Sequence, residues 1–307
     1  MTKSIITGGA GFIGSHIASA LLARGDEVHI VDTFTTGKRE NVAHIDSDVR
    51  VHELDILATD ELSKVFHGAD AVYHQAALPS VPKSVAQPQL TNEANISGTL
   101  SVFVSARDAG VPRVVYASSS SVYGDTPTLP KVEDMPYAPL SPYAGQKMMG
   151  EVYAKLFGDL YGLETVGLRY FNVFGPRQDP HSEYSAVIPK FITLMKQGKA
   201  PTIFGDGTQT RDFTYVANVV DANLLAGSKE GIVTEVVNIA GGERISLNTL
   251  VEDINTCIGT GFTPLYAPPR KGDIKDSYAD ISKAKKVLGF EPKISFADGL
   301  KKTIESL

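Results

Sequence analysis

Thr7-Gly8-Gly9-Ala10-Gly11-Phe12-Ile13-Gly14 follows the short run Ser4-Ile5-Ile6 and leads into a stretch with helical spacing. Its glycines satisfy two patterns at once, GxGxxG through 9, 11 and 14 and GxxGxxG through 8, 11 and 14. Glycine permits a tight turn and the close approach of backbone to a pyrophosphate, and the helix that opens there offers unpaired N–H groups to its charge. A glycine loop alone is a weak signal, and the next run strengthens it. Residues 27–31 read as a strand ending in Asp32, 18 positions beyond Gly14. A carboxylate there accepts a ribose 2′-hydroxyl and repels a 2′-phosphate, which favours NAD over NADP. Lys38 and Arg39 lie close by, either softening that preference or forming a solvated basic turn.

Outward from the loop, the first 170 residues keep one rhythm: Val- and Ile-rich runs at 4–7, 27–31, 50–54, 69–73, 113–117 and 165–169, with helical stretches between them. Such alternation predicts a doubly wound α/β fold, a parallel sheet covered by helices on both faces, whose ligands sit at the carboxyl ends of the strands. The third and fourth runs end in Asp55-Ile56 and His74-Gln75-Ala76-Ala77, positions that flank the adenine and the middle of a dinucleotide. Asp55 reads equally well as a helix cap. After residue 170, Pro and Gly punctuate the chain. The expectation is a dinucleotide-binding domain over 1–170, joined by about 208–228, and a smaller, interleaved substrate lobe over 171–307.

Composition narrows the function. With 307 residues, 42% of them apolar and 21% charged, the chain suits a globular protein with a sizeable core. Twenty-nine Lys and Arg against 35 Asp and Glu leave a net charge of -6, a poor match for nucleic-acid phosphates or anionic lipid. The single Cys257 cannot form an intrachain disulfide, and the seven histidines show no ligand spacing, so no metal is expected. The opening residues run straight into the glycine loop and no long apolar run occurs, so a cytoplasmic location is expected.

The reactive groups come next along the chain. Ser141-Pro142-Tyr143-Ala144-Gly145-Gln146-Lys147 places Tyr143 and Lys147 at i and i+4, on one face of a helix. The run Ala117-Ser118-Ser119-Ser120-Ser121 ends the fifth strand at the same sheet edge, so a hydroxyl, a phenol and an ammonium can converge. Holding a tyrosine as phenolate at pH 7 costs about 4 kcal/mol, which nearby positive charge must offset. Lys147 and an oxidised nicotinamide are the two local sources. A phenolate so placed takes the proton of a secondary alcohol while hydride leaves the same carbon, with Ser119 hydrogen-bonding that oxygen.

These residues resemble the extended short-chain dehydrogenase/reductases, in the NAD-dependent sugar-nucleotide epimerase/dehydratase branch. The likeness runs nearly end to end: TGGAGFIG, Asp32, HQAA, Asn95-Ile96-Ser97-Gly98-Thr99, SSSSVYG, SPYAGQK, Arg169-Tyr170-Phe171-Asn172, GDGTQTRDF and RKGDI. The resemblance implies Tyr143 as base, Lys147 on the nicotinamide ribose and Ser119 as hydroxyl partner. It implies an NAD site of Gly8, Gly11, Phe12, Ile13, Gly14, Asp32, Lys38, Asp55, Ile56, Gln75, Ala76, Ala77, Asn95, Ala117, Ser118 and Tyr170. Asn172, Arg211 and Arg270 stand as ligands of a nucleotide diphosphate, with Val187, Thr202 and Phe204 near its base. Ser80, Lys83, Ser120, Ser121 and Ser277 complete the substrate side. Dehydratases of the branch carry an acid just after the catalytic hydroxyl, whereas Ser120 and Ser121 stand here. C4 epimerisation of a UDP-hexose is therefore expected, with a UDP-glucuronate epimerase, a dehydratase or a reductase as alternatives, and a non-enzymatic NAD-binding protein disfavoured by the intact Tyr–Lys pair. Ser277 leaves room for an N-acetyl group, or is a simple loop serine. Helical stretches 88–109 and 141–161 imply a homodimer, although burial within one subunit explains Leu90, Ala94, Val102 and Ala106 as well.

Overall fold

The computed structural model describes residues 1–180, 187–269 and 274–307. Six strands follow the expected runs: β1 (Lys3–Thr7), β2 (Glu27–Asp32), β3 (Arg50–Glu53), β4 (Ala71–His74), β5 (Arg113–Ser119) and β6 (Glu164–Tyr170). They pair in parallel in the order β3-β2-β1-β4-β5-β6, and a seventh parallel strand, Thr234–Ile239, adds beside β6. The order reverses between β1 and β4, so the crevice for a dinucleotide opens above those two strands, where the glycine loop lies.

Both faces of the sheet are covered. On one face Ile17 and Leu21 of the helix Phe12–Arg24 pack with Val219, Ala222 and Ala226 of the helix Val216–Ser228. On the other, Leu62, Phe66, Val102, Phe103, Ala154 and Phe157 form a second core. The helix at 216–228 returns to the sheet, but Thr214–Tyr215 before it pairs with Val173–Phe174 instead. The seventh strand lies well inside the stretch read as substrate lobe, and Ala284 and Leu288 also pack on the sheet, so the two parts exchange chain more than once. The rest of the later chain builds its own core from Phe174, Ile188, Phe191, Phe213, Leu250 and Phe296.

Local chemistry sets the helix that carries Tyr143. Ser141 caps it, its hydroxyl accepting from the Ala144 N–H at 3.2 Å, Pro142 occupies the first turn, and Gly162 closes it at φ 69°. The stretch 88–109 is not one regular helix: Pro88–Asn92 and Gly98–Asp108 flank a π-helical turn at Glu93–Ser97. That turn places Asn95 inward, where its Oδ1 accepts from the Leu78 N–H at 2.8 Å and its Nδ2 donates to Gln146 at 2.8 Å. No helix among the described residues is long and apolar enough to cross a membrane.

Candidate active site

The glycine loop is shaped by close packing. Gly8 turns at φ 68°, and a Cβ there would sit 2.6 Å from the Ala76 nitrogen; one on Gly14 would sit 2.1 Å from the Gly8 carbonyl oxygen. Gly11 caps the helix Phe12–Arg24 with no side-chain acceptor, so the first-turn N–H groups face the loop's ligand side. Asp32 ends β2, accepting from the Ala10 N–H at 2.9 Å and the Phe34 N–H at 2.8 Å, which leaves lone pairs on both oxygens for a ribose. Ala76, two residues beyond the end of β4, lies against the loop at Gly8. This cradle fits NAD: a tight backbone turn, an uncapped helix N-terminus and a carboxylate at the end of the second strand.

His74, at the end of β4, fastens the floor of this cradle. Its ring bonds Thr7 Oγ1 at 2.7 Å and Thr99 Oγ1 at 2.9 Å. Thr99 spends its own proton on the Asn95 carbonyl at 2.7 Å, so the His74 Nε2–H donates to Thr99, and Nδ1 accepts from Thr7. Burial, with Lys147 nearby, pushes the imidazole down to about 3, so His74 is neutral.

Other expected cofactor residues take several different positions. Gln75 joins Tyr170 and Asn223 in a buried hydrogen-bonded group, and Ile56 is buried against Gly98. Asp55 is exposed and its Oδ1 accepts from the Leu57 N–H at 2.9 Å, so it forms a turn, while Ala58 caps the helix Thr59–Phe66. Lys38 pairs with Asp179 at 2.9 Å. Phe12 packs against the second-lobe core. The Ser118 hydroxyl donates to buried Glu151, which leaves its backbone to face the end of the strand.

At the ends of β5 and the tyrosine helix, three groups converge. Lys147 Nζ donates to the Ala117 carbonyl at 2.8 Å and lies 5.9 Å from the centre of the Tyr143 ring. Ser119 Oγ accepts from the Ser121 N–H at 3.2 Å and the Ser121 hydroxyl at 2.9 Å, leaving its own proton for Tyr143. Burial pushes the Tyr143 phenol up to about 12, and the hydrogen bond from Ser119 pulls it back down. Burial also pushes Lys147 down to about 8, so at pH 7 it is still mainly cationic. Removing the Ser119 hydroxyl should raise the Tyr143 pKa further. The Ser119→Ala variant is therefore expected to lose kcat roughly 100-fold at pH 7, with the same fold-loss at pH 9 because both lie below the phenol's pKa; a Tyr143 phenol titration unchanged in the variant would show that Ser119 does not tune the phenol.

Beyond the end of the neighbouring strand β6, a cavity of about 280 Å³ brings together Asn172, Val187, Thr202, Phe204 and Arg211. Lys190, Gln209 and Phe213 line it as well and were not singled out from the sequence, although Gln209 and Phe213 lie inside GDGTQTRDF. Arg211 is steered by Nη1 bonds to the Thr210 and Lys275 carbonyls, at 2.9 and 3.0 Å. Fully buried Asp212 organises the same wall. Its carboxylate accepts from the Gly241, Gly242 and Ala279 N–H groups at 2.9 to 3.2 Å, and its carbonyl accepts from Asn172 Nδ2 at 3.1 Å. Burial pushes that carboxyl up to about 7 against the pull of those backbone donors. Asn172, held at φ 32°, also reaches Ser277 Oγ at 3.5 Å. Ser80 caps the helix Val81–Ala86 by accepting from the Lys83 N–H at 3.1 Å. Arg270 lies outside the described residues.

A parallel sheet with a dinucleotide loop at its switch point and a Ser–Tyr–Lys set on its carboxyl edge defines an enzyme of the extended short-chain dehydrogenase/reductase class. The chain belongs to the NAD dependent epimerase/dehydratase family, whose match covers residues 4–240, and NAD is its cofactor. It is 38% identical over 315 aligned positions to the UDP-glucose 4-epimerase of Mycolicibacterium smegmatis, covering 99% of this chain and 97% of that one. The structure of a UDP-N-acetylglucosamine 4-epimerase from Methanobrevibacter ruminantium, in complex with UDP-N-acetylmuramic acid, is similar at TM-score 0.95 and 41% identity, covering 99% of this chain and 97% of that one. A UDP-glucuronic acid 4-epimerase from Bacillus cereus, with UDP-glucuronic acid and NAD, is similar at TM-score 0.92 and 35% identity, covering 99% and 98%.

Proposed function

We propose that this protein is a UDP-sugar 4-epimerase that interconverts UDP-galactose and UDP-glucose through a transient 4-keto sugar. The observation that carries this reading is the Ser119–Tyr143–Lys147 set at the end of β5 together with a cavity whose wall includes Asn172, two residues beyond the end of the neighbouring strand β6, and Arg211, with serines rather than an acid following Ser119. Such a site has an alcohol-activating base and a diphosphate clamp, and no acid follows Ser119 in sequence to eliminate water.

NAD, when bound, supplies the hydride acceptor and, after the ketone has turned over, the donor. Tyr143 takes the proton of the sugar's 4-hydroxyl and later returns it. Ser119 holds the oxygen, and Lys147 stabilises the phenolate by its charge. Arg211 and Asn172 hold the diphosphate while the ketone turns, Arg211 through forked donors of fixed charge. Truncating Arg211 to Met is expected to raise KM for the UDP-sugar roughly 10- to 100-fold with little change in kcat; a fall in kcat at constant KM would remove Arg211 from the clamp.

Ser277 is small and lies within reach of Asn172, so the same site is read as admitting the N-acetylated forms of both sugars. The deciding assay incubates purified protein with UDP-galactose and no added NAD, follows UDP-glucose by chromatography, and uses Tyr143→Phe as control. Parallel reactions with UDP-N-acetylgalactosamine and UDP-glucuronate separate the broader substrate reading from the glucuronate alternative. Absence of UDP-glucose, with conversion of UDP-glucuronate, would transfer the assignment.

A homodimer is part of this proposal. Val102 and Ala106 are buried within the subunit, but Val152, Leu156 and Leu160 form an exposed stripe along the tyrosine helix, with Leu90 also exposed. Leu156→Glu is expected to halve the mass measured by light scattering in solution. A wild-type mass equal to that of one chain would refute the dimer.

A further inference from the structure

Glu151 extends the Tyr143–Lys147 stripe by one more step of four residues, so all three side chains leave one face of the helix Pro142–Tyr161. Each engages one of the last three residues of β5: Tyr143 meets Ser119, Lys147 holds the Ala117 carbonyl, and Glu151 accepts from the Ser118 hydroxyl. The first two contacts belong to the chemistry. The third lies behind it, fully buried.

The Glu151 carboxylate is saturated. Arg169 donates to it through Nε at 2.9 Å and Nη2 at 2.7 Å, Tyr137 donates its hydroxyl at 2.8 Å, and Ser118 supplies the fourth bond. Arg169 is the register partner of Ser118 on β6, and its Nη1 donates to Tyr123 at 2.7 Å. The side chains of Glu151 and Arg169 are 1% and 3% exposed. A buried ion pair of this kind is a poor source of stability, since apolar pairs of similar volume often do as well; its distinctive property is directional geometry that fixes register.

We propose that Glu151 is a positioning residue for the reaction, clamping the tyrosine helix to the end of β5 through Ser118 and Arg169 so that Ser119 stays in hydrogen-bonding register with Tyr143. The role attached to Ser119 and Tyr143 rests on the epimerase reading above. Loss of the clamp lets the helix slide against the strand, weakens the Ser119–Tyr143 bond, and leaves the phenol harder to ionise.

Ser118→Ala tests this with the Glu151–Arg169 pair left intact, and Glu151→Gln is the second variant. In the NAD-loaded protein, Ser118→Ala is expected to lower kcat at pH 7 about tenfold, with KM within about twofold of wild type and the acid limb of the kcat profile moved to higher pH. Ser118→Thr, which keeps the hydroxyl, restores the wild-type profile. A second readout is independent of turnover: the ultraviolet difference titration of the Tyr143 phenol, taken against the corresponding Tyr143→Phe protein, moves upward in Ser118→Ala and Glu151→Gln. An unchanged phenol titration in a folded Ser118→Ala protein overturns the clamp, as does a loss of kcat that tracks lowered melting temperature and is not rescued by Thr. If no UDP-sugar is converted by wild type yet the titration moves, the epimerase reading falls and the clamp stands.

Discussion

Tyr143→Phe is expected to reduce kcat for UDP-galactose roughly 10²- to 10⁴-fold while leaving NAD bound and the fold intact. The substitution removes one oxygen from a ring whose environment is otherwise retained, so the melting temperature should move little. The loss is large because nothing else described at the strand ends can take the proton. Lys147 is engaged with the Ala117 carbonyl and carries charge, Ser119 is held by Ser121, and His74 is locked neutral between two threonines with its pKa near 3. The effect should fall on kcat rather than KM, since the cavity at Asn172 and Arg211 is untouched. Steady-state rates measured with cofactor content confirmed by absorbance decide the matter; a variant within tenfold of wild type would remove Tyr143 as the base.

The second large effect is expected at the glycine loop. Adding a methyl at Gly14 places a carbon 2.1 Å from the Gly8 carbonyl oxygen and 2.9 Å from the Gly9 Cα, both backbone atoms that cannot rotate aside. The loop must move, and the pyrophosphate cradle moves with it. Gly14→Ala should therefore purify without NAD and lose about 1–3 kcal/mol of stability, the usual scale for overpacking a tight contact. Bound nucleotide released by heat and quantified by chromatography gives the first quantity, and denaturant unfolding gives the second. A Gly14→Ala protein that copurifies with a full complement of NAD would mean that the loop has slack the structure does not show.

The glycine loop, Asp32, the strand rhythm and the Tyr143–Lys147 spacing were legible because each is written in local sequence. A tight turn needs glycine within a few residues, a parallel strand repeats its apolar run, and i,i+4 places two side chains on one helical face whatever surrounds them. The carboxyl edge of the sheet then places the Ser119 hydroxyl beside that face. What the Ser118 side chain binds was not legible: adjacent strand residues are indistinguishable by composition, and the carboxylate that takes its hydroxyl lies 33 residues away on another element.

Other features also depend on contacts with no local signature. The seventh strand, Thr234–Ile239, pairs with β6 from within the 171–307 stretch, and an apolar run by itself says nothing about which sheet it joins. Asp212, next to Arg211 in sequence, is buried and binds the N–H groups of Gly241, Gly242 and Ala279 from two distant segments. The sequence by itself determined the class of fold, the glycine turn and the placement of Tyr143 and Lys147 on one helical face, because backbone sterics and helical periodicity act over a few residues. The tertiary structure alone decided how the two lobes interleave, where Ser118 points and what holds Ser119 against Tyr143, because buried hydrogen bonds select partners by three-dimensional proximity across long stretches of chain.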